Sequence, residues 1–346
     1  MRVTPSPPPI ARDRLVKLLE RMRSRRVAVV GDVMLDRYLL GDTDRLSPEA
    51  PVPVVTVREM RSALGGAANV GANVAAIGAS CRLVGAVGDD PHATAIRAEL
   101  AAKQMDDRHL VAISGRPTTA KTRVLARGQQ VLRIDEEVES SLEGQDQERL
   151  ISAAVAALVD ADAVVLEDYN KGTLTEALIQ AVIAAARRRG VPVVVDPKFR
   201  NFFGYAGATV FKPNRRELEA ALGATLDLQG DNALPETLDK LRVDNLLLTL
   251  GAEGMVLVTK DLVITHIASF AREVYDVSGA GDTVTAWVAT ALAGGASVRE
   301  AAHLANYAAG IEVGKAGVAT VSPDEVLAIH EERHDAIGRL RRGGVI

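Results

Sequence analysis

The chain has 346 residues, 47% hydrophobic and 25% charged, which is enough to bury a sizeable core and too apolar for a disordered chain. Its net charge of −4 and its 3% aromatic content argue against a nucleic-acid surface, which needs a basic face and rings for stacking. Its one cysteine, Cys81, can form no intrachain disulfide, which fits a reducing compartment, and its apolar surroundings read as those of a small buried thiol.

The proline-rich opening Met1–Pro9 begins a lead-in, residues 1–24, that reads as partly flexible. No signal-peptide core follows it, and no apolar run is long enough to span a bilayer, so the expected location is cytoplasmic with no membrane partner. Val27–Val30 is a short apolar run of the kind that forms a buried parallel strand. It leads into Gly31-Asp32-Val-Met-Leu-Asp36. A carboxylate at the carboxyl end of such a strand lies where open α/β sheets bind ligands, so Asp32 is a candidate for holding vicinal hydroxyls. Residues 38–60 break the pattern with Val52-Pro-Val-Val-Thr-Val57, and residues 118–136 do so with Thr122-Arg-Val-Leu-Ala and Val131-Leu-Arg-Ile134 around a turn at Gly128-Gln129. Both read as antiparallel strands outside the main sheet, forming a small β lid. A lone small sheet with an apolar face needs a partner, so either a lid-to-lid dimer or packing on its own domain is expected.

Between these stretches lies Leu64-Gly-Gly-Ala-Ala-Asn69, where small residues admit a ligand to the backbone and Asn69 can bond hydroxyls; tight helix packing is the competing account. Further buried strands are read at 82–85, 163–166, 191–195 and 245–249. A helix is read from Leu174 to Arg189, with Leu178, Ile179, Val182, Ile183 and Ala186 on one face and Gly190 as its stop. Strand alternating with helix predicts a doubly wound α/β layer. Asp168, in Glu167-Asp-Tyr-Asn-Lys-Gly172, and Asp196, in Asp196-Pro-Lys198, end strands. In Lys212-Pro-Asn-Arg-Arg-Glu217, Asn214 and Glu217 can organise hydrated Mg²⁺, or Glu217 is an ordinary helix-start carboxylate. Lys121, Arg123 and Arg133 put cations on the lid, either for a substrate phosphate or as a solvated face.

The sharpest signal is Asp276-Val-Ser-Gly-Ala-Gly-Asp282, followed by Val284, Trp287, Val288, Ala291 and Leu292 at helical spacing. A glycine-rich turn entering a helix can hold a phosphate on backbone N–H groups, and a carboxylate in the first turn can take a proton beside it. The helix end is expected to keep Asp282 ionised. A plain helix cap is the competing account. His330-Glu-Glu-Arg-His334 matches a zinc-protease pattern but lacks a third ligand downstream, so it reads as a solvated terminal helix. No G-x-x-x-x-G-K-[ST] is present, and no G-x-G-x-x-G follows the first strand, which argues against a P-loop enzyme and against a dehydrogenase.

Gly65-Gly66-Ala-Ala-Asn69 early and Asp276-Val-Ser-Gly-Ala-Gly-Asp282 late, in that order, resemble the ribokinase-like (PfkB) carbohydrate kinase family. The resemblance implies a doubly wound, mostly parallel sheet flanked by helices, with a β-sheet lid. It places the kinase domain at 25–330 and a tail at 331–346. It implies ATP and Mg²⁺, the latter held through water near Asn214 and Glu217, and leaves room for a monovalent cation such as K⁺ near Asp276. Asp282 is then the catalytic base, and the amides of Gly279, Ala280 and Gly281 form the anion hole. Lys198, Asn214, Glu217, Thr249, Gly251, Gly254, Ser278 and Asn306 become nucleotide contacts. Asp32, Gly65, Gly66, Asn69, Asp168 and Lys171 become sugar contacts, with Lys121, Arg123 and Arg133 near the sugar phosphate. The implied partners are small molecules, with a homodimer through the lid.

Within the family, Leu46-Ser-Pro-Glu-Ala-Pro-Val-Pro-Val54, Leu132-Arg-Ile-Asp-Glu136 and Glu167-Asp-Tyr-Asn-Lys-Gly172 look like the members that phosphorylate D-glycero-D-manno-heptose 7-phosphate at O1 for ADP-heptose and lipopolysaccharide core synthesis. In some of these a nucleotidyltransferase domain follows the kinase. Few residues follow Val326 here, so that second activity is expected to be absent. A kinase of another sugar or of a nucleoside, and a non-catalytic nucleotide or sugar sensor, remain the alternatives.

Overall fold

In a computed structural model that describes residues 10–226, 228, 233–271 and 274–342, the predicted strands stack into one layer. The strands are β1 (Arg26–Gly31), β2 (Val33–Leu46), β3 (Pro53–Gly66), β4 (Ser80–Val87), β5 (Leu110–Ala112), β6 (Thr119–Ala126), β7 (Gln129–Glu136), β8 (Ala163–Glu167), β9 (Val193–Asp196), β10 (Val210–Phe211), β11 (Leu246–Thr249), β12 (Met255–Val258) and β13 (Ile264–Ile267). The helices are α1 (Arg12–Met22), α2 (Ala67–Ala76), α3 (Pro91–Ala102), α4 (Gly144–Ala157), α5 (Glu176–Arg188), α6 (Arg215–Leu222), α7 (Ala233–Leu241), α8 (Ala280–Ala293), α9 (Val298–Glu312) and α10 (Pro323–Arg342). Among the described residues the main sheet has nine strands in the order β13-β12-β11-β10-β9-β8-β1-β4-β5, and only β12 and β13 run antiparallel to their neighbours.

The core follows from strand alternation. Val27 and Val29 point to one face of β1 and pack with α1, α2, α8 and α9, while Ala28 and Val30 point to the other face and pack with α4, α5 and α7. Both faces are therefore covered, as continuous apolar runs require. The first strand runs beside β4 on one side and β8 on the other. The order reverses there, so the carboxyl ends of β1 and β8 flank the crevice where such sheets bind ligands. Cys81 is buried and its thiol is pushed up to about 12 by burial, then by Asp106, which makes it inert.

Residues 1–9 of the lead-in lie outside the described ones, and within it Arg12–Met22 form α1. Its Leu15, Leu18, Leu19 and Met22 recur at helical spacing and are buried in the core. Arg14 binds both oxygens of Glu300 at 2.8 and 3.0 Å, and Glu300 also completes a capping box with Ser297 at the start of α9. Arg14 first, with the Ser297 bonds adding, holds the Glu300 carboxyl at about 2. We expect Glu300→Ala to cost about 1–2 kcal/mol, through the lost Arg14 pair and the lost return bond of the capping box to the Ser297 amide. The wild-type contribution is full above the usual glutamate range and is lost as pH falls toward about 2. Urea melts of both proteins at pH 7 and pH 3 check this: the gap between them must narrow in acid.

His330 is not on a solvated face, as the terminal motif suggested. It is fully buried and its Nε2 donates to the Ile10 carbonyl at 2.9 Å. The His334 side chain lies outside the described residues.

The lid is longer than expected, because β2 and β3 are 14-residue strands that reach back to Val33 and forward to Gly66. Its strands run β3-β2-β6-β7. The central pair, β2 and β6, is parallel, which corrects the all-antiparallel expectation. The β6–β7 turn sits at Arg127-Gly128, one residue early, where both backbones take positive φ (50° and 79°) as a two-residue hairpin turn demands. Residues directly opposite across strands share a face. One face therefore carries the row Met60–Leu39–Val124–Leu132, and the other carries Arg61–Tyr38–Arg123–Arg133. One apolar and one charged face follow from register alone.

Candidate active site

A cleft of about 420 Å³ opens at the carboxyl ends of the strands and ends at the N-terminus of α8. That helix begins at Gly279, whose φ of 95° is left-handed. An added Cβ there would come within 3.3 Å of both Asn69 Nδ2 and Glu312 Oε1, so glycine is required for conformation and for space alike. The turn leaves Gly279, Ala280 and Gly281 lining the cleft and Asp282 in the first helical turn.

Asp282 is 5% exposed. Asn69 donates to its Oδ2 at 2.6 Å, and the Tyr169 hydroxyl donates to its Oδ1 at 2.8 Å. Burial pushes its carboxyl up to about 6; Asp196 adds to this, while Asn69, Tyr169 and Lys212 oppose it. The helix end was expected to keep this group ionised; at about 6 it is mostly ionised at neutral pH, although burial sets it above the usual aspartate range. Burial and the Asp282 charge hold the Tyr169 phenol well above its ordinary range, so it stays a donor. Asn69 is set by α2, which starts at Gly66 with φ 56°, where a Cβ would lie 2.4 Å from the Asp32 carbonyl.

Lys198, Asn214, Glu217, Thr249, Gly251, Gly254 and Asn306 all line the cleft. Asn214 and Glu217 form a capping box at the start of α6, so the simple helix-start account of Glu217 is also geometrically true. Its other oxygen pairs with Lys198. Burial works against the Lys198 ammonium, yet Asp196 and then Glu217 more than offset it and hold the group above its ordinary value. Asn306 donates to the Ala268 carbonyl at 2.9 Å, and the Ser278 amide donates to Asp276 Oδ1 at 2.9 Å rather than lining the cleft.

The expected sugar contacts separate into two groups. Gly65 and Gly66 lead into α2, which sets Asn69 against Asp282, and Gly65 lies so close to Asp36 that a Cβ would sit 2.6 Å from its Oδ2. Asp32 and Asp168 are turned to another task. Asp32 is 1% exposed and accepts the amides of Tyr169, Lys171 and Thr173 at 2.7, 3.0 and 3.2 Å. Asp168, also 1% exposed, accepts the Asn170 amide and the Tyr205 hydroxyl, and burial pushes it up to about 6. Both shape the loop after β8 and so position Tyr169; neither side chain faces the cleft. The four cations expected near the sugar and its phosphate have acidic partners. Arg123 pairs with Asp36, Lys121 with Glu137, Arg133 with Asp135, and Lys171 with Glu137 and Glu139.

Four residues of the site escaped the sequence reading. Tyr169, Glu167 and Lys212 stand inside motifs already singled out, yet nothing in their spacing says which way they point. Lys212 lies 2.7 Å from Asp196 in a pair whose side chains are 4% and 7% exposed. Glu312, at the end of α9, is fully buried and pushed up to about 8 by burial, then by Asp276 and Asp282.

The model of the pfkB family of carbohydrate kinases matches residues 24–325. The chain belongs to that family. It is 42% identical over 325 residues to the bifunctional protein HldE of Rhodospirillum rubrum, covering 93% of this chain and 66% of the relative. It is 46% identical over 307 residues to the HldE of Azorhizobium caulinodans, covering 88% and 64%. The chain thus spans just under two thirds of the length of these relatives. Solved structures share the fold. Arabidopsis thaliana ribokinase with ribose and ATP superposes with a TM-score of 0.70 at 22% identity over 89% of this chain and 99% of that one. Escherichia coli phosphofructokinase-2 with fructose-6-phosphate gives 0.72 at 18% identity over 89% and 99%. The kinase has no helix, among its described residues, long and apolar enough to cross a membrane.

Proposed function

We propose that the chain transfers the γ-phosphoryl group of ATP to O1 of D-glycero-D-manno-heptose 7-phosphate, giving the 1,7-bisphosphate. The observation that carries the phosphotransfer reading is the buried Asp282 carboxylate, held by Asn69 and Tyr169 at the helix end of the cleft. ATP lies along the cleft toward Gly251 and Asn306. The anomeric hydroxyl meets Asp282, which takes its proton as the oxygen attacks phosphorus, and the α8 amides stabilise the charge that develops on the phosphoryl oxygens. Mg²⁺, when bound, neutralises the β- and γ-phosphates. Asn214 and Glu217 fit as holders of its waters, since each Glu217 oxygen accepts one hydrogen bond and keeps a lone pair free.

The heptose rests on the motifs at 46–54, 132–136 and 167–172 and on the identity to the HldE proteins. The charged lid face offers Arg123 and Arg133 to a 7-phosphate, which would displace their carboxylate partners. ADP release with Mg²⁺-ATP and this heptose, against ribose, fructose and adenosine, tests the choice. Faster turnover of another acceptor would replace it, and no turnover of any would favour a sensor. We extend the reading to K⁺ beside Asp276; equal turnover in KCl and choline chloride removes that part.

The apolar lid face supports a homodimer, because Met60 is 71% and Leu132 54% exposed in the single chain. Light scattering should give twice the chain mass, and Met60→Glu with Leu132→Glu should give one. A wild-type monomer at micromolar concentration would refute the dimer.

A further inference from the structure

Glu167 ends β8 beneath the cleft, 0% exposed, and neither of its carboxylate oxygens has a hydrogen-bond partner. Such a group is costly unless something charged meets it. It is aimed at two other buried acids: one oxygen each of Glu167, Asp196 and Asp282 lie within 4.8 Å of one another. Lys212 supplies one positive charge, on Asp196. Lys198 also faces Glu167 but is matched by Glu217. Burial, then Asp196 and Asp282, raise the Glu167 carboxyl well above its ordinary value, so in the empty site it keeps its proton. A cation that displaces that proton would meet three carboxylates less the Lys212 ammonium, two negative charges, the charge of one divalent cation. Opposite oxygens around Mg²⁺ stand about 4.2 Å apart and adjacent ones about 2.9 Å, so the three carboxylates, within 4.8 Å of one another, reach a hard cation by drawing together. An all-oxygen set with no sulfur or imidazole selects Mg²⁺ or Mn²⁺ over zinc.

We infer that Glu167, Asp196 and Asp282 form a divalent-cation seat that fills in the nucleotide-free protein, separate from the waters near Asn214 and Glu217. Glu167 and Asp196 are its permanent ligands, and Asp282 closes it until a sugar hydroxyl claims that carboxylate. The inference concerns the empty cleft and does not depend on which sugar is phosphorylated.

The test is titration of the nucleotide-free protein with Mn²⁺ alone, read by electron paramagnetic resonance. Wild type should take up one Mn²⁺ per chain. Glu167→Gln keeps the shape and should weaken it by at least about tenfold, the smallest loss typical of groups that merely support a metal ligand. If the variant does not fold, anomalous scattering from Mn²⁺-soaked crystals of the nucleotide-free wild type decides instead: a peak between Glu167 and Asp196 supports the seat. No Mn²⁺ uptake by wild type, uptake unchanged in Glu167→Gln, or a peak elsewhere overturns it. None of these readings involves sugar turnover, so failure of the seat and failure of the heptose assignment remain distinguishable.

Discussion

Asp282→Asn should lower kcat by about 10²–10⁴-fold, the usual contribution of a positioned general base, while ATP affinity stays near wild type. The amide keeps the shape of the carboxylate but cannot take a proton. The same group sets a pH dependence. Its carboxyl is pushed up to about 6, so the base is ionised above that pH and protonated below it. kcat/KM should therefore fall about tenfold per unit once pH drops below about 6, with Mg²⁺ kept equal to ATP so that little free cation remains. The acid limb should vanish in the variant. Equal turnover by the two proteins would remove Asp282 as the base. A limb near pH 4 would mean that burial does not govern the group.

Lys212→Met should destabilise the fold by about 3–5 kcal/mol, because it removes one partner of a buried ion pair and leaves the other charge uncompensated. The pair lies beneath the cleft, with the Thr285 hydroxyl also on Asp196 at 3.3 Å. Despite burial, Asp196 and then Glu167 hold the Lys212 ammonium above its ordinary pKa, so it stays charged at neutral pH. Lys212→Met combined with Asp196→Leu should recover part of the loss, since replacing a whole buried pair by apolar groups is often close to neutral. Lys212 also lowers the Asp282 pKa, so any activity left in the single variant should show its acid limb at higher pH. Urea midpoints measure the first effect. A single variant as stable as wild type would show that the surroundings relax or that water reaches Asp196.

Local rules were enough where one residue type has one physical use. Val27–Val30 and Ala163–Leu166 are apolar on both faces, and only a covered parallel sheet accepts such runs. Gly279 to Asp282 read correctly as a turn entering a helix, because the left-handed backbone at Gly279 calls for glycine. Likewise the α5 stripe and its Gly190 stop are visible in the chain itself. The sequence by itself thus determined the layered α/β architecture, the existence of a lid, and the helix end that carries Asp282.

Tertiary structure decided what those residues face. Asp32 and Asp168 end strands in the same way as Asp196, yet the loop at 169–173 claims their oxygens while Asp196 meets Lys212. Long-range packing makes that choice, and the sequence spacing of the three acids does not differ in any way that signals it. Burial, which exists only in the folded chain, raised the Asp282 carboxyl to about 6 and left the Glu167 oxygens without a hydrogen-bond partner. The parallel pairing of β2 with β6 joins segments about 80 residues apart, so no local turn could announce it. That pairing sets the register which separates the apolar lid face from the charged one.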